Sequence, residues 1–189
     1  MKSTNHSEKG LSTRDKILHE ARSTLVAKGY EGLVLRELAD NIGIKLGNLQ
    51  YYFKTKDLLV LQVFQDAADE DLLTLSVDAP EPIERFRKMV KSLVSRWRGD
   101  SGVLFSLLAT LGIHHPGFKK LYRSIYGDFY AALDVMLAEL NPDLPADARA
   151  TKVRLITALI DGSSMQVQVG GINDYLRAVQ RQAEVIALN

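Results

Sequence analysis

Apolar positions recur at intervals of three and four residues through nearly the whole chain, and no stretch alternates with a period of two. That pattern predicts an all-α protein of about nine helices. Ser12, with Asp15 three residues on, reads as a capping box opening a first helix whose buried face is Ile17, Leu18, Ala21 and Leu25 and whose end is Gly29. Leu35, Leu38, Ala39 and Ile42 form the inner stripe of a short second helix, with Arg36, Glu37, Asp40 and Asn41 outward. Gly43 ends it, because glycine enters the left-handed conformation of a tight turn without a Cβ penalty. Ile44 then packs inward and Leu49 anchors a third helix against the small Ala39. This is the spacing of a helix-turn-helix, whose second helix enters the DNA major groove. The bare triple of Ala39, Gly43 and Leu49 fits an ordinary helical hairpin equally well.

Beyond this region Thr55 reads as an N-cap with Asp57 in the first turn of a helix running from Lys56 to about residue 77. Leu58, Leu61, Phe64 and Ala68 mark its apolar side, and the run Asp69-Glu70-Asp71 reads as a solvated face. Pro80 and Pro82 punctuate the chain before a stripe of Ile83, Phe86, Val90, Leu93 and Trp97. Gly99-Asp100-Ser101 reads as a turn and cap before an apolar helix from Val103 to Leu111. His115-Pro116-Gly117 precedes a long amphipathic helix from Phe118 to Leu137, and two more helices are expected over 146–169 and about 172–188. Residues 1–11, polar and aperiodic, read as a flexible arm.

Composition narrows the class only slightly. The 189-residue chain has a formal charge of +1, which alone says nothing about nucleic acid. Residues 1–60 hold 10 Lys/Arg against 7 Asp/Glu, and residues 61–189 hold 14 against 16, a mild asymmetry that favours a basic N-terminal head. Without cysteine there are no disulfides and no cysteine-based zinc sites. The first dozen residues lack an apolar core and no apolar run reaches the length of a membrane span, so a cytoplasmic protein is expected.

The candidate chemistry lies on the second helix of the motif. Asn48 and Gln50 suit adenine, Lys45 suits guanine, and Leu46 suits a thymine methyl. Tyr51, Tyr52, Lys54 and Lys56 are candidate phosphate contacts, which set register without reading sequence.

From Thr13 to Leu59 the chain resembles the tetracycline-repressor (TetR) family of bacterial transcription regulators. The resemblance is carried by Thr13-Arg14-Asp15-Lys16-Ile17-Leu18, Ala21, Leu25, Ala27, Gly29-Tyr30, Leu35-Arg36, Leu38-Ala39, Ile42-Gly43-Ile44, Gly47, Leu49, Tyr52-Phe53 and Thr55-Lys56-Asp57-Leu58-Leu59. It implies a three-helix DNA-binding head, here residues 12–55, joined to a helical effector-binding and dimerisation domain over 56–189. It also adds Arg36 and Gly47 to the DNA-facing set. Two positions depart from the family pattern: Gln50 stands where a tyrosine usually follows the leucine, and Leu33-Val34 stands where Thr or Ser usually caps the first helix of the motif.

The implied regulator is a homodimeric repressor released from a palindromic operator by a small molecule. Candidate effector contacts are Trp97, Phe105, Leu108, His114, Phe118, Tyr122, Tyr126, Phe129 and Met165, chosen as aromatic or apolar residues of the central helices. Spacing alone lets the last two helices complete their own core. The resemblance instead makes Ile156, Leu159, Ile160, Gly162, Ser163, Leu176, Val179 and Ala183 candidates for a four-helix dimer interface. The rival readings are a helical adaptor and a small all-α enzyme. No glycine-rich phosphate loop, nucleophile elbow or paired His/carboxylate motif supports the enzyme. His114-His115 lacks a further ligand at helical spacing, so neither a metal nor a cofactor is expected.

Overall fold

The computed structural model describes residues 12–75, 78–170 and 176–189, and every regular element among them is helical. The helices are α1 (Thr13–Lys28), α2 (Leu35–Asn41), α3 (Leu46–Tyr52), α4 (Lys56–Leu73), α5 (Pro82–Trp97), α6 (Asp100–His114), α7 (Pro116–Leu140), α8 (Ala146–Gly170) and α9 (Leu176–Leu188). The flexible arm expected at residues 1–11 and the junction near residue 172 lie outside the described residues. Compact packing divides the chain after Phe64, within α4, into a head and a body. The expected head ended at residue 55, just before α4 begins.

In the head, Ser12 and Asp15 form the reciprocal capping box: the Asp15 N–H donates to Ser12 Oγ and the Ser12 N–H to Asp15 Oδ2, both at 3.2 Å. Ile17, Ala21, Leu25, Leu38, Ala39 and Leu49 are buried, all but Leu38 completely. Val34 occupies the N-cap of α2 and supplies no side-chain hydrogen bond, as its hydrocarbon side chain dictates. Asn41 Nδ2 on α2 instead donates to Glu20 Oε1 on α1 at 2.9 Å.

The body joins α6 to α7 and α8 to α9, with α5 touching each of these four. Phe86, Met89, Val90, Leu93, Val94 and Trp97 give α5 an apolar face, so most of the predicted stripe is buried. Two sequence expectations fail beside it. Asp71, expected on a solvated face, is completely buried: its Oδ2 accepts from Trp97 Nε1 at 2.8 Å, its Oδ1 from Ser101 Oγ at 3.2 Å, and Arg96 pairs with it. Ser101, expected as a cap, therefore lies inside α6, and Gly99 stands at the cap position without a side-chain bond. A carboxylate on an otherwise apolar helix side looks solvated in sequence, because its donors arrive from residues 25 to 30 positions away.

Gly102 sits where this junction closes most tightly. A Cβ there would overlap the Trp97 carbonyl, Ser164 Oγ and Gln168 Nε2. Those two side chains donate to the Trp97 carbonyl at 2.7 and 3.0 Å, satisfying an acceptor that the end of α5 leaves without a helical partner.

The expected dimer residues divide differently. Ile156, Ile160, Ser163, Leu176, Val179 and Ala183 are buried within the single chain, so they belong to its own core rather than to a face open to a partner. Leu159 is half-buried and Gly162 exposed. The outward face of α8 instead carries Leu155, Ala158, Gly162, Met165 and Val169, at successive steps of three and four residues. Val169 is 88% exposed and Met165 56%, an apolar seam at coiled-coil spacing. Most of the residues chosen from sequence lie on the inward side of these helices, because both faces of α8 are apolar.

Candidate nucleic-acid interface and body cavity

The turn between α2 and α3 is fixed by backbone geometry. Gly43 takes φ +72°, the Ile44 N–H donates to the Ala39 carbonyl at 3.0 Å, and the Gly43 N–H donates to Asp40 at 3.1 Å. This paired closure is a Schellman motif, which satisfies the last carbonyls of α2 while the chain reverses. Leu49, completely buried, then fixes the rotation of α3 about its axis. At about 100° per residue, Gly47 and Tyr51 stand opposite Leu49, with Asn48 and Gln50 on the two flanks.

The exposed set follows from that rotation. Arg36, Lys45, Gly47, Asn48, Gln50, Tyr51, Tyr52 and Lys54 are all exposed, Tyr51 by 83%. Leu46 and Lys56 are half-buried. Tyr51 and Tyr52 meet edge to face at 5.3 Å. No neighbour lies within 4 Å of a Cβ built on Gly47, so packing within the chain does not require glycine there.

Thr55 caps α4, its Oγ1 accepting from the Leu58 N–H at 3.2 Å. The first turn of α4 is tied back by Tyr30, whose hydroxyl donates to Asp57 and whose ring lies 4.0 Å from Lys56 Nζ. Burial and then the Asp57 carboxylate push the Tyr30 hydroxyl up to about 12, so it stays a proton donor at neutral pH. The Lys56 charge is thereby held on an aromatic face at the start of α4.

The body holds a cavity of about 30 Å³ lined by Leu75, Met89, Leu93, Trp97, Tyr126, Phe129, Leu133, Thr157, Ile160 and Asp161. Three of the nine expected effector residues meet here: Trp97, Tyr126 and Phe129. Phe105 stacks on Trp97 at 4.9 Å and meets Tyr126 and Phe129 edge to face. Leu108 and Phe118 are core residues, and His114 is exposed at the end of α6. Tyr122 and Met165 line a separate open groove of about 640 Å³ with Ser106, Ile113, Lys119 and Arg123.

Sequence reasoning missed Asp161. Its Oδ2 accepts from the Tyr126 hydroxyl at 2.9 Å, and burial pushes its carboxyl up to about 7 against the opposing effect of that hydrogen bond. Burial, followed by the charge of Asp161, drives the Tyr126 hydroxyl far above its ordinary range. The available signal was positional: Thr157, Asp161, Ser164 and Gln168 repeat at helical spacing and put polar atoms on a side of α8 that also carries Ile160.

A glycine-locked turn, a sealed anchor and a free outer face on α3 define a helix-turn-helix DNA-binding protein with an all-α body. Residues 17–63 match the family model of bacterial regulatory proteins, tetR family. Over 156 residues the chain is 25% identical to an uncharacterized HTH-type transcriptional regulator in the dhlA 5′ region of Xanthobacter autotrophicus, covering 80% of this chain and 77% of that one. Over 58 residues it is 34% identical to the HTH-type transcriptional repressor KstR2 of Mycolicibacterium smegmatis, covering 31% and 28% of the two chains. The fold is shared with a transcriptional regulator from Rhodococcus sp. Rha1, with a TM-score of 0.80, 20% identity and coverage of 93% and 96%. It is also shared with a protein from Saccharomonospora viridis, described as a transcriptional regulator and solved in complex with choline, with a TM-score of 0.73, 21% identity and coverage of 91% and 93%. The head, residues 17–63, thus matches the regulatory domain of the tetR family, and the chain as a whole shares its fold with transcriptional regulators.

Proposed function

We propose that this regulator acts as a homodimeric repressor, reading a two-fold operator with α3 and leaving it when a small molecule occupies the body cavity. The observation that carries the DNA-reading part is the division of α3 between one sealed residue, Leu49, and an outer surface that makes no demand on the protein's own packing. Gly47 and Tyr51 form its crest, so the missing side chain at Gly47 lets the helix backbone approach a groove. Asn48 and Gln50 reach toward base edges from either flank. Lys54, Lys56, Arg36 and Tyr52 supply backbone contacts around them.

The apolar seam of α8 supports the dimer, since Ala158 and Gly162 permit close crossing while Leu155, Met165 and Val169 supply buried area. Two heads related by a two-fold axis would meet half-sites about 34–36 Å apart, or a multiple of that distance. The choline held by the Saccharomonospora relative supports a small-molecule site in this fold class.

Coupling runs through α4, which the Tyr30–Asp57 bond holds at its start and Asp71 holds near its end. Trp97 both lines the cavity and donates to Asp71. A ligand that moves Trp97 therefore acts on α4, and it shifts DNA affinity only as far as it prefers one conformation over another.

Selection of bound duplexes from a random pool tests the reading. An inverted repeat should be enriched, with affinity falling steeply as salt rises. Asn48→Ala should relax preference at particular bases, whereas Lys54→Ala should weaken all sequences alike. Recovery of no preferred sequence would remove the DNA-reading assignment.

A further inference from the structure

The body cavity is mostly apolar, and its one carboxylate is Asp161. Asp161 gives one carboxylate oxygen to the Tyr126 hydroxyl, while its Oδ1 is sealed from solvent and has no hydrogen-bond partner. A buried acceptor left without a donor costs about 1–3 kcal/mol, and more if it carries charge. The ion pairs of the body among the described residues engage Glu70, Asp71, Asp134, Glu139 and Glu184, and none of them reaches Asp161.

Aromatic rings form one part of the cavity's surroundings. Tyr126 stacks on Tyr122 with centroids 4.2 Å apart and meets Tyr130 edge to face at 5.9 Å. Trp97 and Phe129 join Tyr126 in the cavity wall, beside the aliphatic Met89, Leu93 and Ile160. Aromatic faces attract cations through the ring quadrupole, most strongly where water is excluded. The volume of about 30 Å³ admits only a small head group, on the order of two water-sized centres.

These three properties select among ligand classes. An alcohol would supply a donor without charge, and a quaternary ammonium would supply charge without a donor. A bare metal ion needs several oxygen ligands, and the wall offers mainly hydrocarbon and ring surface. A primary or secondary ammonium supplies both an N–H for Oδ1 and a positive charge for the rings.

We propose that the body cavity takes the protonated amino head of a small organic amine, with Asp161 as its acceptor and counter-ion and Tyr126 as its aromatic wall. The proposal rests on reading this cavity as the effector site, and names the class of effector. It carries a pH signature. The groups facing Asp161 are Tyr122, Tyr126 and Tyr130 on α7; α5 contributes Met89, Leu93 and Trp97, and α6 contributes Phe105. Only Asp161 titrates near neutrality among these, so amine affinity should rise from about pH 6 to about pH 8 as its carboxylate forms.

The test is calorimetry of the full chain with n-butylammonium, 1-butanol and tetramethylammonium at about pH 8. n-Butylammonium should bind about ten-fold or more tightly than the other two. Asp161→Asn, which keeps the shape and removes the charge, should weaken n-butylammonium by about ten-fold and abolish the pH rise. Tyr126→Phe should weaken it less, and circular dichroism checks that both variants are folded. If Asp161→Asn does not fold, the ligand series on the unaltered chain decides.

Equal binding of 1-butanol overturns the proposal. So does n-butylammonium binding that ignores Asp161→Asn, or no binding of n-butylammonium up to about 50 mM. Repeating the titration with operator DNA present separates the two readings. An amine that binds through Asp161 without changing DNA affinity supports this inference and removes the effector role. Release of DNA by an uncharged molecule, with no amine binding, keeps the effector role and overturns this inference.

Discussion

The head and the body bury different kinds of side chain. The four fully buried polar residues among those described, Asp71, Ser101, Ser163 and Ser164, all lie in the body. The head seals hydrocarbon only, closes its helix ends with a capping box and a glycine turn, and leaves its polar side chains outside. The contrast fits the work proposed for each part. A helix that reads DNA needs its polar groups unpaired within the chain. A ligand-binding bundle needs internal polar groups, and each must be satisfied by the fold or by the ligand.

If that contrast is right, the largest losses of stability come from the buried polar junction of the body. Asp71→Ala leaves Trp97 Nε1 and Ser101 Oγ without their acceptor and Arg96 without its closest carboxylate, and should destabilise the body by about 3–5 kcal/mol. Trp97 is the single tryptophan of the chain, so its fluorescence during urea unfolding reports the body directly. An unchanged midpoint would mean that the Asp71 cluster is not a structural junction.

Gly102→Ala comes next. The added methyl meets the Trp97 carbonyl, a backbone atom that cannot swing aside, so a loss of about 1–3 kcal/mol is expected by the same measurement.

The smallest effects separate two glycines of the head. Gly43→Ala forces a side chain into positive φ and should cost about 1–2 kcal/mol. Gly47→Ala meets no neighbour and adds a better helix former, so stability should stay level or rise by up to about 1 kcal/mol. If Gly47 exists to let α3 approach a groove, operator affinity should nevertheless fall, as measured by fluorescence anisotropy. Full DNA affinity in Gly47→Ala would put the close approach elsewhere on the helix.

Legibility in the sequence follows the same division. The inner stripe of α2, the reversal at Gly43 and the outward residues of α3 depend on groups within a few positions of each other. Helical spacing and turn chemistry therefore placed them correctly. The cap at Thr55 and the missing cap at Val34 were legible for the same reason. Asp71 was misread because its three partners arrive from α5 and α6, and no local rule distinguishes a carboxylate facing water from one facing an indole N–H. Three of the dimer candidates on α8, Ile156, Ile160 and Ser163, proved to be core residues because two faces of that helix are apolar. Choosing between Ile156 or Ile160 and Leu155 or Val169 requires knowing where α9 and α7 lie.

By itself the sequence determined the helices, the helix ends at Ser12, Gly43 and Thr55 and the face that α3 turns outward, because those features are set by backbone hydrogen bonds and side-chain periodicity over one or two turns. The tertiary structure alone decided which polar groups are buried, and that Asp161 carries a sealed oxygen inside a mostly apolar cavity. Burial and hydrogen-bond satisfaction are properties of surfaces brought together from distant parts of the chain, and no local pattern contains them.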